Sequence, residues 1–249
     1  MRKSKPAAMC LKVEDVLDWL FPSSHNGEAY SPWASNFQPE PNGFDTLARL
    51  NEMGNLMAFI PRVDCETDFS YLQLLPYAVV MAHDGRIVGY NRPTKGGGEV
   101  RLAGNFSIGF GGHVELEDVK ACRDYPDLPT LILESALGRE LEEEINLRSE
   151  GELSRWVCPP SSVVLNRGGE FIGIIRSQDS AVDRVHLGLV YLVRCNTKDI
   201  KDLVAHTPEP DQVINPRILT LEEARAEASP ESWTAKILNS SVLDQMIKA

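Results

Sequence analysis

Three glutamates within residues 139–144 (RELEEE) have a spacing that could bind a metal ion. Glu140, Glu143 and Glu144 stand at positions i, i+3 and i+4, which share one face of an α-helix with Cβ atoms about 5–6 Å apart. Carboxylates held this close repel one another unless a cation lies between them. Mg²⁺ and Mn²⁺ take oxygen ligands and commonly bridge carboxylates and substrate phosphates. An acidic helix face is more often simply solvated, so the spacing alone leaves both interpretations open.

Two further features would position these glutamates. Residues 109–113 (GFGGH) form a glycine-rich loop after a short apolar run, and glycines let the backbone approach a ligand closely. Leu133, Leu137 and Leu141 repeat at i, i+4 and predict a helix from about residue 130 to residue 145. This leucine ladder would hold the helix against a core.

The loop and the acidic helix together resemble the Nudix signature G-x5-E-x7-R-E-U-x-E-E-x-G-U, in which U is an aliphatic residue. The first half matches from Gly112 to Asp118, where the family usually has glutamate. The second half matches from Arg139 onward, with Asn146 in place of the usual glycine. Asparagine is the best non-glycine residue for a left-handed helix C-terminus. The halves align if about 13 residues, 119–131, are inserted between them.

The resemblance extends beyond this motif. Residues 74–80, 105–115 and 185–190 are similar to a bacterial and phage Nudix subgroup whose members often carry only a loose phosphoesterase label. The resemblance implies a Nudix-type α/β/α sandwich with a mixed β-sheet in residues 66–249. Residues 1–65 would be a mainly helical or irregular N-terminal extension that serves packing or dimerisation, or acts as a substrate lid.

The resemblance also implies an activity. A Nudix enzyme hydrolyses a phosphoanhydride bond in a nucleoside diphosphate derivative, and a metal-activated water is the nucleophile. Glu140, Glu143 and Glu144 would bind Mg²⁺ or Mn²⁺, and Arg139 would orient them by pairing with a carboxylate. The residues expected to take part in catalysis are Glu143, Glu144, Arg139 and Glu209. The residues expected to contact the substrate are Gly111, Gly112, His113 and His186.

Two of these roles have alternatives. The general base could be a glutamate of the motif or a carboxylate from the later loop TPEPD, which contains Glu209 and Asp211. His113 and His186 could bind ligand, but a histidine beside apolar residues is often a hydrogen-bonded structural residue. Period-2 alternation places His186 and Gly188 on one strand face, which would suit an approach by ligand.

Composition narrows the class of protein. A chain of 249 residues with 43% hydrophobic residues suits one large domain, or one domain with an appendage. A net charge of −11 without a dense Lys/Arg cluster disfavours long nucleic acids and leaves a nucleotide-sized substrate. No apolar run approaches the ~20 residues of a membrane span. The basic N-terminus lacks the apolar segment of a secretory signal. Five scattered cysteines without a C-x-x-C pair suggest neither disulfides nor zinc, and favour the cytoplasm.

The main alternative function is a non-catalytic Nudix-like module that binds a nucleotide, for example as a sensor. A purely structural α/β protein would leave the glycine loop unexplained. A homodimer is possible in either case.

Local patterns predict the remaining elements. Helices are expected at residues 10–21 and 44–57, with an interruption near Gly54, and from residues 221 and 231. Asp84-Gly85 is expected to form a hairpin turn. Strands are expected at residues 75–82, 86–90, 106–110, 163–165, 171–175, 185–195 and 212–219.

Overall fold

The computed structural model describes residues 7–20, 36–39, 44–94, 102–122, 129–147, 169–195, 197–207 and 209–248. Within these residues the strands are β1 (Ala7–Lys12), β2 (Asn36–Pro39), β3 (Ala58–Pro61), β4 (Tyr71–Ala82), β5 (Ile87–Asn91), β6 (Phe106–Ser107), β7 (Gly109–Phe110), β8 (Glu170–Arg176), β9 (His186–Cys195) and β10 (Ile214–Leu219). The helices are α1 (Val13–Leu20), α2 (Phe44–Glu52), α3 (Arg62–Cys65), α4 (Leu116–Ala121), α5 (Pro129–Ile145), α6 (Thr197–Ala205), α7 (Leu221–Ala226), α8 (Ser232–Asn239) and α9 (Val242–Lys248). In this described part of the chain, no helix combines the length and the apolar character needed to cross a bilayer.

The chain divides into two compact units, and each is described by itself. The first unit contains residues 1–76, 112–136 and 173–189, and the second contains residues 77–111, 137–172 and 190–249. Strands β4, β8 and β9 and helix α5 contribute residues to both units. The strand order through the shared strands is β4-β9-β8. The division expected from sequence, at residues 65/66, remains a prediction.

In the first unit, strand β1 pairs antiparallel with both β3 and β4. Cys10 of β1 lies opposite Ala58 on one side and Gln73 on the other. The helix expected at residues 10–21 is therefore wrong at its start, since residues 10–12 belong to β1 and α1 begins at Val13. Pairing on both edges satisfies the backbone of β1, and this tertiary gain outweighs the local helical periodicity.

In the second unit, strand β5 pairs antiparallel with β4 and β10. Ile87 lies opposite Met81 of β4 and Leu219 of β10, while β6 pairs with β5 and β7 pairs with β4. The turn between β4 and β5 contains Gly85 with a φ of 83°, a conformation that glycine adopts readily. The predicted Asp84-Gly85 turn is confirmed.

The long strands β4 and β9 are covered on both faces. Every residue of β9 except Arg194 is buried, and β4 is buried from Pro76 to Ala82. Strands covered on both faces have nearly continuous apolar sequences instead of alternating ones. The face of β9 that carries His186 is therefore buried as well.

Helix α5 begins one residue before its predicted start and ends at the predicted Ile145. Leu133, Leu137 and Leu141 are all buried, as the leucine ladder requires. Asn146 follows the helix with a φ of 56°, which confirms the predicted left-handed end. Helices α3, α4, α6 and α9 and strands β2 and β3 have no counterpart in the sequence prediction. The strand predicted at residues 163–165, and the middle of the insertion (residues 123–128), lie outside the described residues.

Candidate functional site

The acidic residues of α5 differ in their exposure. Glu144 is buried, the Glu140 side chain is 15% exposed and the Glu143 side chain is 53% exposed. Helical periodicity puts all three side chains on one face of α5. They are nevertheless exposed to water to different extents. Of these three carboxylates, Glu144 is the one that the fold separates most from water.

The Glu144 carboxylate accepts a hydrogen bond from the backbone N–H of Gly111 at 3.0 Å. Burial raises the pKa of Glu144 to about 8, and the negative charges of Glu140 and Glu209 act in the same direction. The Arg92 guanidinium and the Gly111 N–H oppose this rise in pKa because they favour the ionised carboxylate. A further cation beside Glu144 would keep it ionised at neutral pH.

Arg139 connects the other two glutamates. Its Nη1 donates to Glu140 Oε1 at 2.7 Å and to Glu143 Oε2 at 3.2 Å. The guanidinium thereby offsets the repulsion between two neighbouring carboxylates. The contact is the carboxylate pairing that the sequence led us to expect for Arg139.

The three glutamates do not share one partner, because Glu140 and Glu143 contact a side chain and Glu144 contacts the glycine loop. Among the described residues, no group of three or more His, Cys, Asp or Glu side chains is placed to hold a metal ion. Glu140 and Glu143 contact Arg139, whereas Glu144 contacts Gly111.

A second ion pair lies in the same unit. Arg92 Nε donates to Glu231 Oε1 at 2.5 Å, and the Arg92 Cζ atom lies 5.3 Å from the centroid of the Tyr90 ring. The Glu231 side chain is only 5% exposed, so Arg92 replaces part of the water that burial removes from it. Together, Glu231 and Tyr90 restrict the position of a guanidinium that favours ionised Glu144.

The backbone of the glycine loop follows a path that leaves no room for a side chain at Gly109. A Cβ atom on Gly109 would lie 1.6 Å from Cζ of Tyr77. The Tyr90 hydroxyl donates to the Gly109 carbonyl at 2.9 Å, and Gly111 has a φ of 149°. These constraints aim the Gly111 N–H at Glu144.

In the first unit, His113 and His186 form a pair. Their Nε2 atoms are 3.2 Å apart, and the rings meet edge to face with centroids 5.2 Å apart. His186 Nδ1 lies 2.6 Å from the carbonyl oxygen of Val182. Burial lowers the pKa of His186 to about 4, so this ring is neutral at pH 7. His186 is therefore buried and hydrogen-bonded, while His113 is half-buried.

The loop with the candidate bases lies in the second unit. The backbone carbonyl of Glu209 accepts from Gln212 N and Val213 N, at 2.9 and 3.0 Å, which closes a turn before β10. The side chains of Glu209 and Asp211 are exposed. Of the two, Glu209 is the one whose charge raises the pKa of Glu144.

The comparisons with known proteins agree with this architecture. No protein-family model matches the chain. It is 30% identical over 129 residues to protein YmaB of Bacillus subtilis (strain 168), which is 52% of this chain and 52% of YmaB. The match thus spans about half the length of this curated relative. The crystal structure of Tm1382, described provisionally as a Nudix hydrolase, matches with a TM-score of 0.61 and 22% identity over 94% of this chain and 98% of that one.

The chain has the Nudix fold. The resemblance inferred from the glycine loop and RELEEE is confirmed at this level, as is an α/β class with a mixed sheet. The phosphoesterase subgroup and the roles of individual residues stay predictions.

In the resemblance to the Nudix signature, Asp118 would be the first acidic residue. It is 2% exposed, and its carboxylate accepts from the backbone N–H of Glu115 at 2.8 Å. This bond caps the first turn of α4, a short helix that begins before the apparent insertion at residues 119–131. Because the Asp118 carboxylate caps α4, an acidic residue at this position is explained without a bound metal ion.

We therefore expect Asp118→Ala to lower the free energy of unfolding by about 1 kcal/mol, as the loss of a capping bond does. Asp118→Asn, which keeps an acceptor oxygen, should cost less. Both variants should retain wild-type affinity for Mn²⁺ in calorimetric titrations. Exposed Glu117 on the same helix supplies the control, Glu117→Ala. Weaker Mn²⁺ binding by Asp118→Asn would return Asp118 to the metal site.

Glu134 is the other buried acidic residue of α5, and the sequence analysis did not identify it. It is buried, and burial raises its pKa to about 7. A single carboxylate within the apolar stretch LILESAL was the available signal. Arg92 and Glu231 gave no such signal, because 139 residues separate them.

The pKa of Glu134 predicts a pH dependence of stability. The folded state holds the proton more tightly than the unfolded state, so this contribution is complete below about pH 4.5 and is lost as the pH rises to about 7. Glu134→Gln is neutral throughout and should be more stable than wild type at pH 8 by about 3 kcal/mol, since each unit of the rise in pKa is worth about 1.4 kcal/mol. Urea unfolding across this range measures the difference, with exposed Glu142→Gln as control. A difference that does not change with pH would contradict the raised pKa.

Proposed function

We propose that this chain is a divalent-metal-dependent hydrolase that cleaves a phosphoanhydride bond in a nucleoside diphosphate derivative. The observation that carries the proposal is Glu144, a buried carboxylate bonded to the glycine loop on the same helix as Glu140 and Glu143. Burying an acid is costly, and chains that do so often use it for chemistry. Solvation alone does not account for this glutamate.

The chemistry of the donors fits Mg²⁺ or Mn²⁺, since Glu140, Glu143 and Glu144 offer only carboxylate oxygens. When bound, such a cation supplies a Lewis acid that offsets diphosphate charge and lowers the pKa of water. Glu144 would bind in its ionised form, which Arg92 already favours. Arg139 would orient the acidic set through its contacts with Glu140 and Glu143.

The remaining residues would bind and orient the substrate. Arg92 is fixed by Glu231 through Nε, and its guanidinium could attract phosphate oxygens as well as Glu144. Gly111 and Gly112 would let the backbone approach the substrate. His113 and His186 remain substrate-binding candidates from the sequence.

For the general base we propose Glu209, which is exposed and electrostatically coupled to Glu144. Glu209→Gln should lower kcat about 100-fold, within the range for loss of a general base, and leave Mn²⁺ and nucleotide binding unchanged. Asp211→Gln tests the neighbouring acid in the same loop. Full activity of the Glu209 variant would return the role to Asp211 or to a glutamate of α5.

The proposal is tested by release of phosphate or nucleotide from a panel of nucleoside diphosphate derivatives, such as nucleoside diphosphate sugars and dinucleoside polyphosphates. Each is incubated with Mg²⁺ or Mn²⁺, and with EDTA as control. Turnover that requires metal is the expected result.

The second candidate is a non-catalytic sensor that binds a nucleotide. It is favoured by the contacts of the glutamates, since Glu140 and Glu143 pair with Arg139 while Glu144 bonds to Gly111. Among the described residues, these carboxylates are not grouped to hold a metal ion. Saturable nucleotide binding without release from any member of the panel would support it. A cytoplasmic location, and dimerisation through residues 1–65, likewise remain proposals from the sequence.

A further inference from the structure

We propose that Thr234 of α8 is a positioning residue, which holds the glycine loop in place by accepting a hydrogen bond from the backbone N–H of Ile108. The loop in turn directs the Gly111 N–H at Glu144. All of these residues belong to the second unit. The expected effect on turnover rests on the proposed function, whereas the positioning of the loop does not.

A short backbone pairing sets the register between α8 and the loop. Pro230 forms a parallel β-bridge with Phe106 of β6. The Phe106 N–H donates to the Ser229 carbonyl at 3.0 Å, and the Phe106 carbonyl accepts from the Glu231 N–H at 2.9 Å. Glu231 directly precedes α8, so this pairing fixes the start of the helix beside the strand that enters the loop. The first turn of α8, which contains Thr234, is thereby anchored next to the loop.

The Thr234 hydroxyl makes the contact with the loop itself. Its Oγ1 atom accepts from the Ile108 N–H at 3.2 Å and lies 3.3 Å from the Tyr77 hydroxyl oxygen. Thr234 and Ile108 are both 0% exposed, so bulk water does not reach this N–H in place of the hydroxyl. A buried N–H without an acceptor is unfavourable, and the backbone of Ile108 is therefore held at Thr234.

The backbone between Ile108 and Gly111 carries this constraint forward. Only two residues separate them, and the carbonyl of the first, Gly109, accepts from the Tyr90 hydroxyl at 2.9 Å. The Gly111 N–H then donates to the Glu144 carboxylate at 3.0 Å. A shift of Ile108 would thus displace the Gly111 N–H from its acceptor.

The start of α8 supports Glu144 by a second route as well. Glu231 lies three residues before Thr234, a spacing that puts the two side chains on one side of the first turn. Glu231 bonds to Arg92, whose positive charge attracts the Glu144 carboxylate. The C-terminal helix α8, which lies outside the RELEEE motif, therefore acts on Glu144 both through the glycine loop and through Arg92.

Amide hydrogen exchange measured by NMR tests the positioning role. Thr234→Val keeps the shape of the side chain and removes the acceptor, so the Gly111 N–H should exchange about tenfold faster, as expected for one lost hydrogen bond. The Ala235 N–H, which donates to the Glu231 carbonyl at 2.9 Å, is the internal control and should exchange as in the wild type. Thr234→Ser retains the hydroxyl and should preserve the wild-type exchange at both amides.

Two results in the valine variant would overturn the proposal. One is unchanged exchange at Gly111. The other is equal acceleration at Gly111 and Ala235, because that result indicates a loosened helix and not a released loop. If the valine variant does not fold, the serine variant still decides: wild-type exchange at Gly111 would support the hydroxyl bond, and faster exchange would overturn it.

Turnover provides a separate readout. If the proposed function holds, Thr234→Val should lower kcat about tenfold through misplacement of the loop, and Thr234→Ser should restore it. Failure of the hydrolase assay together with the expected exchange at Gly111 would reject only the proposed function. Metal-dependent turnover by the wild type together with unchanged exchange in the valine variant would reject only the role of Thr234.

Discussion

Glu144→Gln is expected to lower turnover at least about 100-fold, because a neutral amide cannot support chemistry that depends on a bound cation. Glutamine keeps the size of the side chain and an oxygen that can accept from the Gly111 N–H. Burial already disfavours a charge at this position, so the variant should be at least as stable as wild type. Steady-state kinetics, calorimetric titration with Mn²⁺ and thermal unfolding measure the three effects.

Glu142 provides the matched control, since it lies on the same helix and is exposed. Glu142→Gln should leave turnover unchanged, whereas Glu143→Gln should reduce it as Glu144→Gln does. Equal losses at Glu142 and Glu144 would contradict the assignment of one functional helix face. A fully active Glu144 variant would favour the sensor.

Arg92→Met is expected to lower the free energy of unfolding by about 3 kcal/mol, because it leaves the Glu231 carboxylate buried and unpaired. Methionine keeps most of the length of the side chain, so loss of packing is a small part of the effect. The Arg92 side chain is 25% exposed, so the expected loss of stability is at the lower end of the range for breaking a buried ion pair. Chemical denaturation at pH 7 measures the loss.

The double variant Arg92→Met/Glu231→Gln should recover much of this stability, since no buried charge remains. The surface pair Arg86–Asp84, at 2.7 Å, supplies a control, and Arg86→Met should cost no more than about 1 kcal/mol. If the double variant is as unstable as Arg92→Met, packing around Arg92 explains the loss and the ion pair does not.

The sequence by itself determined the elements whose causes are local. The leucine ladder predicts α5, Asn146 predicts its left-handed end, and Asp84-Gly85 predicts the turn between β4 and β5. Each of these depends on residues at most a few positions apart. The glycine loop and RELEEE also identified the Nudix fold, because a motif is a pattern of residue types along the chain.

The tertiary structure alone decided which strands pair and which charged side chains are buried. Strand β1 forms because β3 and β4 lie on either side of it, although the periodicity of residues 10–21 predicted that its last three residues would begin a helix. Residues far apart in sequence meet in the pairs Arg92–Glu231 and His113–His186. The depth of Glu144 likewise depends on what covers α5. A pKa of about 8 follows from that burial, which residue spacing along a helix does not specify.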